Sequence, residues 1–384
     1  MGEPRGAGGA GAEIRIARGH VFLYRLYDVG EEIDLARAHA LLSARKDAAA
    51  RVGLRPMRGI VVQTPPLWAS LGGVELPLAG ATLSGTARGR VFDFGVVSVA
   101  LRLAIPEGTP WDVLVRWSGE LGTSAADKVA ALSDRLASEL AALVGPAVKE
   151  PRRAATAEDY TVFLLQALEP ALEADDVREH AEVARLLLLE PDPGRLHASE
   201  RASILSPALS YTADDLTVID WNAALVLMPA EESDIPDILE FATAQLLELR
   251  VYDEFLDREL DRLYDAVGDR RVRLGERMLG LRHPYRALAR SAMLLLLDVL
   301  DVTEKSENAL KIVGDPFLAK VYLAAVEAFG LPRWRASLDR KLATLDRIAS
   351  LLNDQADASR ANLLELTVVV LIIIELIAIL ILGK

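Results

Sequence analysis

The order of apolar and polar positions divides the chain into a first part that alternates strands with helices and a last part that is helical throughout. Residues 20–27 (HVFLYRLY) and 90–105 (RVFDFGVVSVALRLAI) are rich in β-branched and aromatic side chains and predict strands. Residues 34–50 and 110–143 have helical spacing, and Pro110 stands at the first turn of the second segment. Together these elements predict an α+β fold.

Residues 151–270 repeat the same kinds of element, with strands predicted at 160–168, 202–210 and 215–228 and helices at 175–189 and 235–267. VFLYRL at 21–26 is similar to VFLLQA at 162–167, and VFDF at 91–94 is similar to VIDW at 218–221. We interpret the similarity as an internal duplication that gives two ferredoxin-like β-α-β-β-α halves, residues 13–150 and 151–270, with a ligand cleft between them. The alternative is a chance recurrence of short apolar strands.

Beyond a helical region at 271–332, apolar residues recur at alternating spacings of four and three. This seam predicts a coiled-coil stalk over residues 333–362. Its large members are Leu338, Leu342, Leu345 and Leu352. They predict either a homo-oligomer or a helix that packs back on the preceding helices of the same chain.

Residues 363–382 (LLELTVVVLIIIELIAILIL) are apolar on every side, and a helix of this length spans a bilayer core of about 30 Å. The segment predicts a single-pass, C-terminal tail anchor, and the alternative is a helix buried in a large core. Arg340, Lys341, Arg347 and Arg360 precede it, so the bulk of the chain is expected in the cytoplasm. Glu375 is expected either to contact another helix within the membrane or to be a neutral side chain near its far side.

Composition excludes several functions. There are 56 acidic and 43 basic residues, a net charge of −13, which argues against a large nucleic-acid interface. There is no Cys, and the five His form no HxxxH or HExxH pair, so thiolate and histidine metal sites are not expected. Residues 1–12 are rich in Gly and Ala and predict a disordered leader. No cofactor or metal is predicted.

Two sets of carboxylates could carry chemistry. Asp93 and Asp220 occupy matching places in the two proposed halves, where they predict either catalytic acids or turn-capping groups. A second set recurs every four residues on one helix face and predicts either a metal-binding ladder or a solvated row of ion pairs. Its members are Asp253, Asp257, Asp261 and Asp265.

The C-terminal part resembles the family named for "required for meiotic nuclear division", whose shared region is a domain of unknown function. The resemblance rests on ILEFA at 238–242, QLLELR at 245–250, DRELDRLY at 257–264, and a helix at 340–353 that runs into the segment carrying Glu375. It implies a membrane-associated, self-associating protein. The eukaryotic relatives are mitochondrial inner-membrane proteins that support organellar translation, and the family has no defined catalytic residues.

These patterns favour a membrane-anchored, self-associating, non-catalytic scaffold or tether, with a protein partner that the sequence does not identify. Two alternatives stay open. One is an enzyme with a cleft between the two halves that acts near the membrane. The other is an adaptor for the translation machinery, which rests on the resemblance alone.

Overall fold

The structure is a computed structural model, and it describes residues 13–44, 53–54, 61–62, 64–152, 156–180, 182–190, 196–230, 233–272, 289–290, 292–293, 296, 310–311 and 315–382. The chain forms two compact units, one of Met1–Val251 with Lys305–Pro332 and one of Tyr252–Glu304 with Arg333–Lys384. The predicted leader and most of residues 273–314 lie outside the described residues.

Fourteen strands occur in the described part of the chain. They are β1 Arg15–Asp28, β2 Glu32–Ile33, β3 Gly53–Leu54, β4 Val61–Val62, β5 Leu67–Leu78, β6 Ala81–Val91, β7 Val96–Ala104, β8 Thr109–Pro110, β9 Val148–Lys149, β10 Ala157–Glu169, β11 Ala208–Leu209, β12 Leu216–Ile219, β13 Ala223–Leu227 and β14 Leu310–Lys311.

The helices range from single turns to one of 52 residues. They are α1 Leu35–Ser43, α2 Trp111–Leu121, α3 Ala126–Val144, α4 Ala174–His180, α5 Val183–Leu188, α6 Ala198–Ile204, α7 Ile235–Val272, α8 Pro316–Ala328 and α9 Leu331–Leu382, with a 3-10 turn at Gly145–Ala147. Aspartate side chains cap the starts of α1 and α8. Asp34 caps α1 by accepting from the Arg37 amide at 3.0 Å, and Asp315 caps α8 ahead of Pro316.

The first unit is built around a mixed sheet with the strand order β11-β12-β13-β10-β1-β7-β6-β5-β3, and β8 pairs with the start of β1. The long strands β1 and β10 form its antiparallel centre, in register from Arg15↔Glu169 to Tyr27↔Ala157. The pairing of β10 with β13 is parallel, and the other described pairs in this sheet are antiparallel. The α+β class is therefore confirmed.

The two faces of the sheet are covered by different helices of this unit. Val21, Leu23 and Tyr27 of β1 belong to the core on the face where α3 lies against β7 and α5 against β13. On the opposite face, Phe241 of α7 packs edge-on against Phe92, with ring centroids 6.1 Å apart. The alternating side chains of one central strand thus serve two cores, as the pleat requires.

Several predicted elements are divided in the structure. The predicted strand 90–105 is β6 and β7 joined by a turn at 92–95, where Gly95 has φ +89°. The predicted helix 110–143 is α2 and α3, and the predicted strand 215–228 is the hairpin β12–β13. The predicted strand 202–210 is wrong over most of its length, because α6 continues to Ile204 and β11 has two residues.

Residues 13–150 and 151–270 place their strands on opposite sides of the central pair in matching order: β7, β6, β5 beside β1, and β13, β12, β11 beside β10. The directions differ, however, because β7 is antiparallel to β1 whereas β13 is parallel to β10. The parallel pair needs the crossover of a split β-α-β unit, and the antiparallel pair does not. The structure therefore does not show two equivalent ferredoxin-like halves.

In the second unit, the predicted seam lies at the beginning of α9. Leu338, Leu342, Leu345 and Leu352 are all buried, none being more than 7 % exposed. Leu256, Leu260 and Leu263, in the second half of α7, are buried in the same unit. Because these leucines are already buried in a single chain, they are not exposed for contact with a second copy. Their burial matches the alternative in which the helix packs back on preceding helices of the same chain.

In the part of the chain that the structure describes, no helix combines the length and the apolar character needed to cross a membrane. The prediction of a tail anchor at residues 363–382, and with it a single-pass membrane location, is therefore wrong. Without a membrane span, the predicted contact of Glu375 with another helix inside a membrane has no basis. The Glu375 side chain is exposed.

We expect Gly95→Ala to lower the free energy of unfolding by about 2–5 kcal/mol, because it combines a positive φ with overpacking. A Cβ at this position would lie 1.9 Å from the Gly30 carbonyl oxygen. Gly145→Ala is the matched control, since a Cβ there meets nothing within 4 Å and the backbone is helical. Urea unfolding of both variants measures the difference. Equal stability would contradict the close packing of the turn at 92–95 against Gly30.

Candidate functional site

Asp93 and Asp220 lie in two different hairpin turns at the same end of the strands. Asp93 is between β6 and β7, and Asp220 is between β12 and β13. Burial raises the pKa of both carboxyls. Strands β1 and β10 stand between the two hairpins, so three interstrand spacings of about 4.8 Å separate β7 from β13. The structure thus does not bring the two carboxylates together as an acid–base pair.

Two aspartates of the row on α7, Asp253 and Asp257, contact the beginning of α9 within the second unit. The Lys341 ammonium lies 2.8 Å from Asp253 and 2.7 Å from Asp257, and the Ser337 hydroxyl donates to Asp253 at 2.8 Å. No group of three or more potential ligands in the described part of the chain could hold a metal ion. Asp253 and Asp257 therefore match the alternative of a row of ion pairs.

A pocket that the sequence did not indicate lies in the first unit, on the sheet face that carries α7. Its volume is about 90 Å³. Four neighbouring strands and one helix supply the lining: Phe22 and Tyr24 of β1, Trp68 of β5, Arg88, Gly89 and Arg90 of β6, Ala100 and Arg102 of β7, and Asp237 and Glu240 of α7.

Strand register brings these residues to one face. Ala100 is paired with Tyr24 on one side and with Arg88 on the other, so the three residues form a row across β1, β7 and β6. Residues directly opposite one another in a ladder point to the same side of the sheet. Arg90 is paired with Trp68 on β5 and extends the same surface. The pocket therefore contains aromatic and cationic groups from strands that are far apart in the sequence.

Arg90 fixes the start of α7 to the sheet through two carboxylates. Its guanidinium lies 2.8 Å from Asp237 and 2.8 Å from Glu240, and the Glu240 side chain is 2 % exposed. Burial raises the pKa of Glu240, and the charge of Arg90 acts in the opposite direction. Breaking a buried pair of this kind leaves an uncompensated charge, which costs more than the intact pair contributes.

At the other end of the pocket, Arg102 lies over an aromatic ring and beside a histidine. Its guanidinium carbon is 5.7 Å from the Phe22 ring centroid, and its Nη2 is 3.2 Å from His20 Nε2. Because arginine only donates hydrogen bonds, Nε2 accepts and His20 is neutral with its proton on Nδ1. Burial, followed by the charge of Arg102, lowers the pKa of His20 to about 4.

Arg88 lies between these two ends and is exposed. It is diagonal to Arg102 in the ladder, because Arg88 pairs with Ala100 and Thr86 pairs with Arg102. The structure gives Arg88 no ion pair within the described residues, in contrast to the two carboxylates that meet Arg90. The charge of Arg90 is therefore compensated by two carboxylates, whereas Arg88 has no ion pair among the residues that the structure describes.

Sequence reasoning missed this site because it treated residues 90–105 as a single strand. The arginines reach one face only when β6 and β7 form separate antiparallel strands. The signal present in the sequence is Arg88-Gly-Arg90, two cations at alternate positions of one strand. That spacing puts both arginines on one face but does not show what faces them.

We expect Arg90→Met to lower the free energy of unfolding by about 3–5 kcal/mol, because it leaves the buried Glu240 and the partly buried Asp237 without their cation. Arg116→Met is the matched control. Arg116 is paired with Asp112 on the surface of α2, where the side chains are 67 % and 70 % exposed, and its loss should change stability by less than about 0.5 kcal/mol. Urea unfolding tests both, and equal effects would contradict a buried ion cluster.

We expect His20 to titrate at about 4 when its imidazole resonances are followed by NMR, and Arg102→Gln to raise that pKa. The unfolded chain protonates His20 near its ordinary pKa of 6.5, so between about 6.5 and 4 the unfolded state binds more protons. Stability should therefore fall as the pH falls through this window, by about 1–2 kcal/mol once solvent screening of the half-buried ring is allowed for. His20→Gln should remove this component and His39→Gln, on the exposed side of α1, should retain it. A titration near 6.5 in the folded protein would contradict the assignment.

Comparisons with known proteins bear on the part of the chain that contains most of this pocket. Residues 18–234 match the family model described as "Uncharacterized protein MJ0711, N-terminal domain". The chain is 25 % identical over 175 residues to the Uncharacterized protein MJ0711 of Methanocaldococcus jannaschii, an alignment that covers 45 % of this chain and 52 % of that protein. The chain thus spans about half the length of the curated relative it matches. No solved structure matches the chain.

The matched residues 18–234 end before the segments that resemble the meiotic nuclear division family, and that resemblance stays a prediction. Because the model matches more than half of the chain, the protein belongs to the family of the MJ0711 N-terminal domain.

Proposed function

We propose that the protein is a non-catalytic scaffold that self-associates through an apolar segment of α9, residues 367–377. The observation that supports this function is the exposure of nine large apolar side chains within ten consecutive positions of one helix, interrupted only by Glu375. Each is 45–59 % exposed: Val368, Val369, Val370, Leu371, Ile372, Ile373, Ile374, Leu376 and Ile377. Contiguous exposed apolar surface of this kind marks an interaction site.

The same segment indicates what kind of partner covers it. Successive helical residues are separated by 100°, so the nine side chains point in every direction around the helix axis. One partner helix covers a stripe, whereas an assembly of several identical helices covers most of the circumference. We therefore propose that the partner is the same segment in other copies of the chain, and that the assembly contains more than two copies.

The free energy available is adequate for this association. Full burial of a Val, Leu or Ile side chain is worth about 1.5–3 kcal/mol, so completing the burial of nine half-exposed chains contributes on the order of 10 kcal/mol per copy. The loss of translational and rotational freedom costs an estimated 4–15 kcal/mol. Association at micromolar concentrations is consistent with these magnitudes.

Self-association is proposed here and not at Leu338, Leu342, Leu345 and Leu352. Those leucines are buried within the single chain, and exposing them would cost stability. The apolar segment needs no such opening, because its side chains are already exposed.

We expect Ile373→Asp to weaken self-association at least tenfold, because it places a charge in the proposed apolar contact. Sedimentation of the full chain over a series of concentrations measures the change. Leu351→Asp is the matched control on the same helix, since Leu351 is 62 % exposed but precedes the apolar segment. The control should assemble as the unchanged protein does.

A full chain that sediments as a monomer at all accessible concentrations would overturn the proposed function. Equal weakening by Ile373→Asp and Leu351→Asp would also contradict it, since the apolar segment would then have no special part. Retention of far-UV helical signal in both variants shows that any change of mass is not due to unfolding.

A further inference from the structure

The apolar segment of α9, residues 367–377, contains a single ionisable side chain. Glu375 is the one charged residue in the sequence from 366 to 383. Its side chain is exposed in the single chain, and the structure gives it no hydrogen bond or ion pair among the residues that it describes. Water therefore solvates this carboxylate while the chain is free, and solvation favours the ionised form.

The residues on the same side of the helix as Glu375 are apolar. Positions three, four and seven residues apart share one side of an α-helix. At these spacings the residues before the glutamate are Ile372, Leu371 and Val368, which are 50 %, 59 % and 54 % exposed. The segment thus has no polar side that could stay in water while its apolar sides are covered. An assembly that covers these three side chains also encloses Glu375.

Residues 367–377 bring no cation that could compensate the enclosed carboxylate. Glu365 lies ten positions earlier on α9, about 15 Å along the helix axis, where salt screens its charge because the Debye length is about 8–10 Å. Lys384 is nine positions later in the sequence. The ionisable groups that contacting copies of the segment bring to one another are further Glu375 carboxylates, which carry the same charge. Loss of solvation and the like charge of a second carboxylate both favour the protonated form.

We infer that self-association of residues 367–377 is coupled to the uptake of a proton by Glu375, so that the assembly strengthens as the pH falls. This inference rests on the proposed function. As the copies associate, the carboxylate takes one proton from the solution and becomes a neutral carboxyl, and the proton returns to the solution when the copies separate. A neutral carboxyl also donates a hydrogen bond, which the same residue of another copy can accept.

The sign of the pH dependence follows from the two states of the carboxyl group. At a pH where a glutamate in water is ionised, the assembled state binds more protons than the free chains do. By linkage, the equilibrium then moves toward the assembly as the pH decreases. Self-association is therefore expected to be weaker at pH 8 than at pH 5.5.

Sedimentation of the full chain over a series of concentrations, at pH 8 and at pH 5.5, tests the inference. We expect the concentration at which half of the chains are assembled to be about fivefold lower, or less, at pH 5.5. Glu375→Gln should lose this dependence on pH and should assemble at pH 8 more readily than the unchanged protein, because glutamine has the shape of a neutral glutamate and does not titrate. Glu375→Asp keeps a carboxylate and should keep the dependence.

Asp354→Asn is the matched control. Asp354 is exposed on the same helix and precedes the apolar segment, and its replacement removes the same charge from the protein. This variant should keep the pH dependence of the unchanged protein, which separates the effect of Glu375 from the general loss of negative charge at low pH. The far-UV helical signal, recorded at both pH values, shows that a change of mass is not due to unfolding.

The outcomes separate this inference from the proposed function. A chain that assembles equally well at both pH values would overturn the inference and leave the proposed function standing. The same pH dependence in Glu375→Gln as in Asp354→Asn would also overturn the inference alone. A chain that sediments as a monomer at both pH values would overturn both.

Discussion

The antiparallel pairing of β1 with β10 is the constraint on which the rest of the first unit depends. It joins residues 15–28 to residues 157–169 at the centre of the sheet and fixes which side chains point to which face. Odd-numbered residues such as Val21 and Leu23 enter the core under α2, α3 and α5, while Phe22 and Tyr24 face the side of α7. A shift of β1 by one residue relative to β10 would exchange the side chains on the two faces. Packing in both cores and in the pocket therefore favours the same register.

The position of α7 depends on a second, electrostatic interaction. Arg90 binds Asp237 and Glu240, which are one helical turn apart, while Phe241 packs against Phe92 and Phe94. The aromatic contacts supply most of the favourable free energy, because desolvation offsets much of what a buried ion cluster gains. The cluster contributes specificity, since only one axial position of the helix satisfies all three charges. The cation at the sheet and the acids on the helix thus determine where the pocket ends.

Sequence patterns predicted the elements whose signal is local. The strand at 20–27 was confirmed within β1, because its β-branched and aromatic residues favour an extended chain whatever it pairs with. The strand at 90–105 was wrong in its continuity, because the turn at 92–95 contains apolar Phe92 and Phe94 and only Gly95 marks the bend. The seam residues Leu338, Leu342, Leu345 and Leu352 are buried, but their spacing could not say whether the partner belongs to the same chain. The direction of β13 relative to β10 needed the three-dimensional crossover, which no periodicity encodes.

The candidate site was beyond sequence prediction for a related reason. Arg88, Arg102 and Phe22 are separated by many residues, and their proximity follows from two strand registers at once. Overall composition gives no sign of these arginines either, since the chain has a net charge of −13.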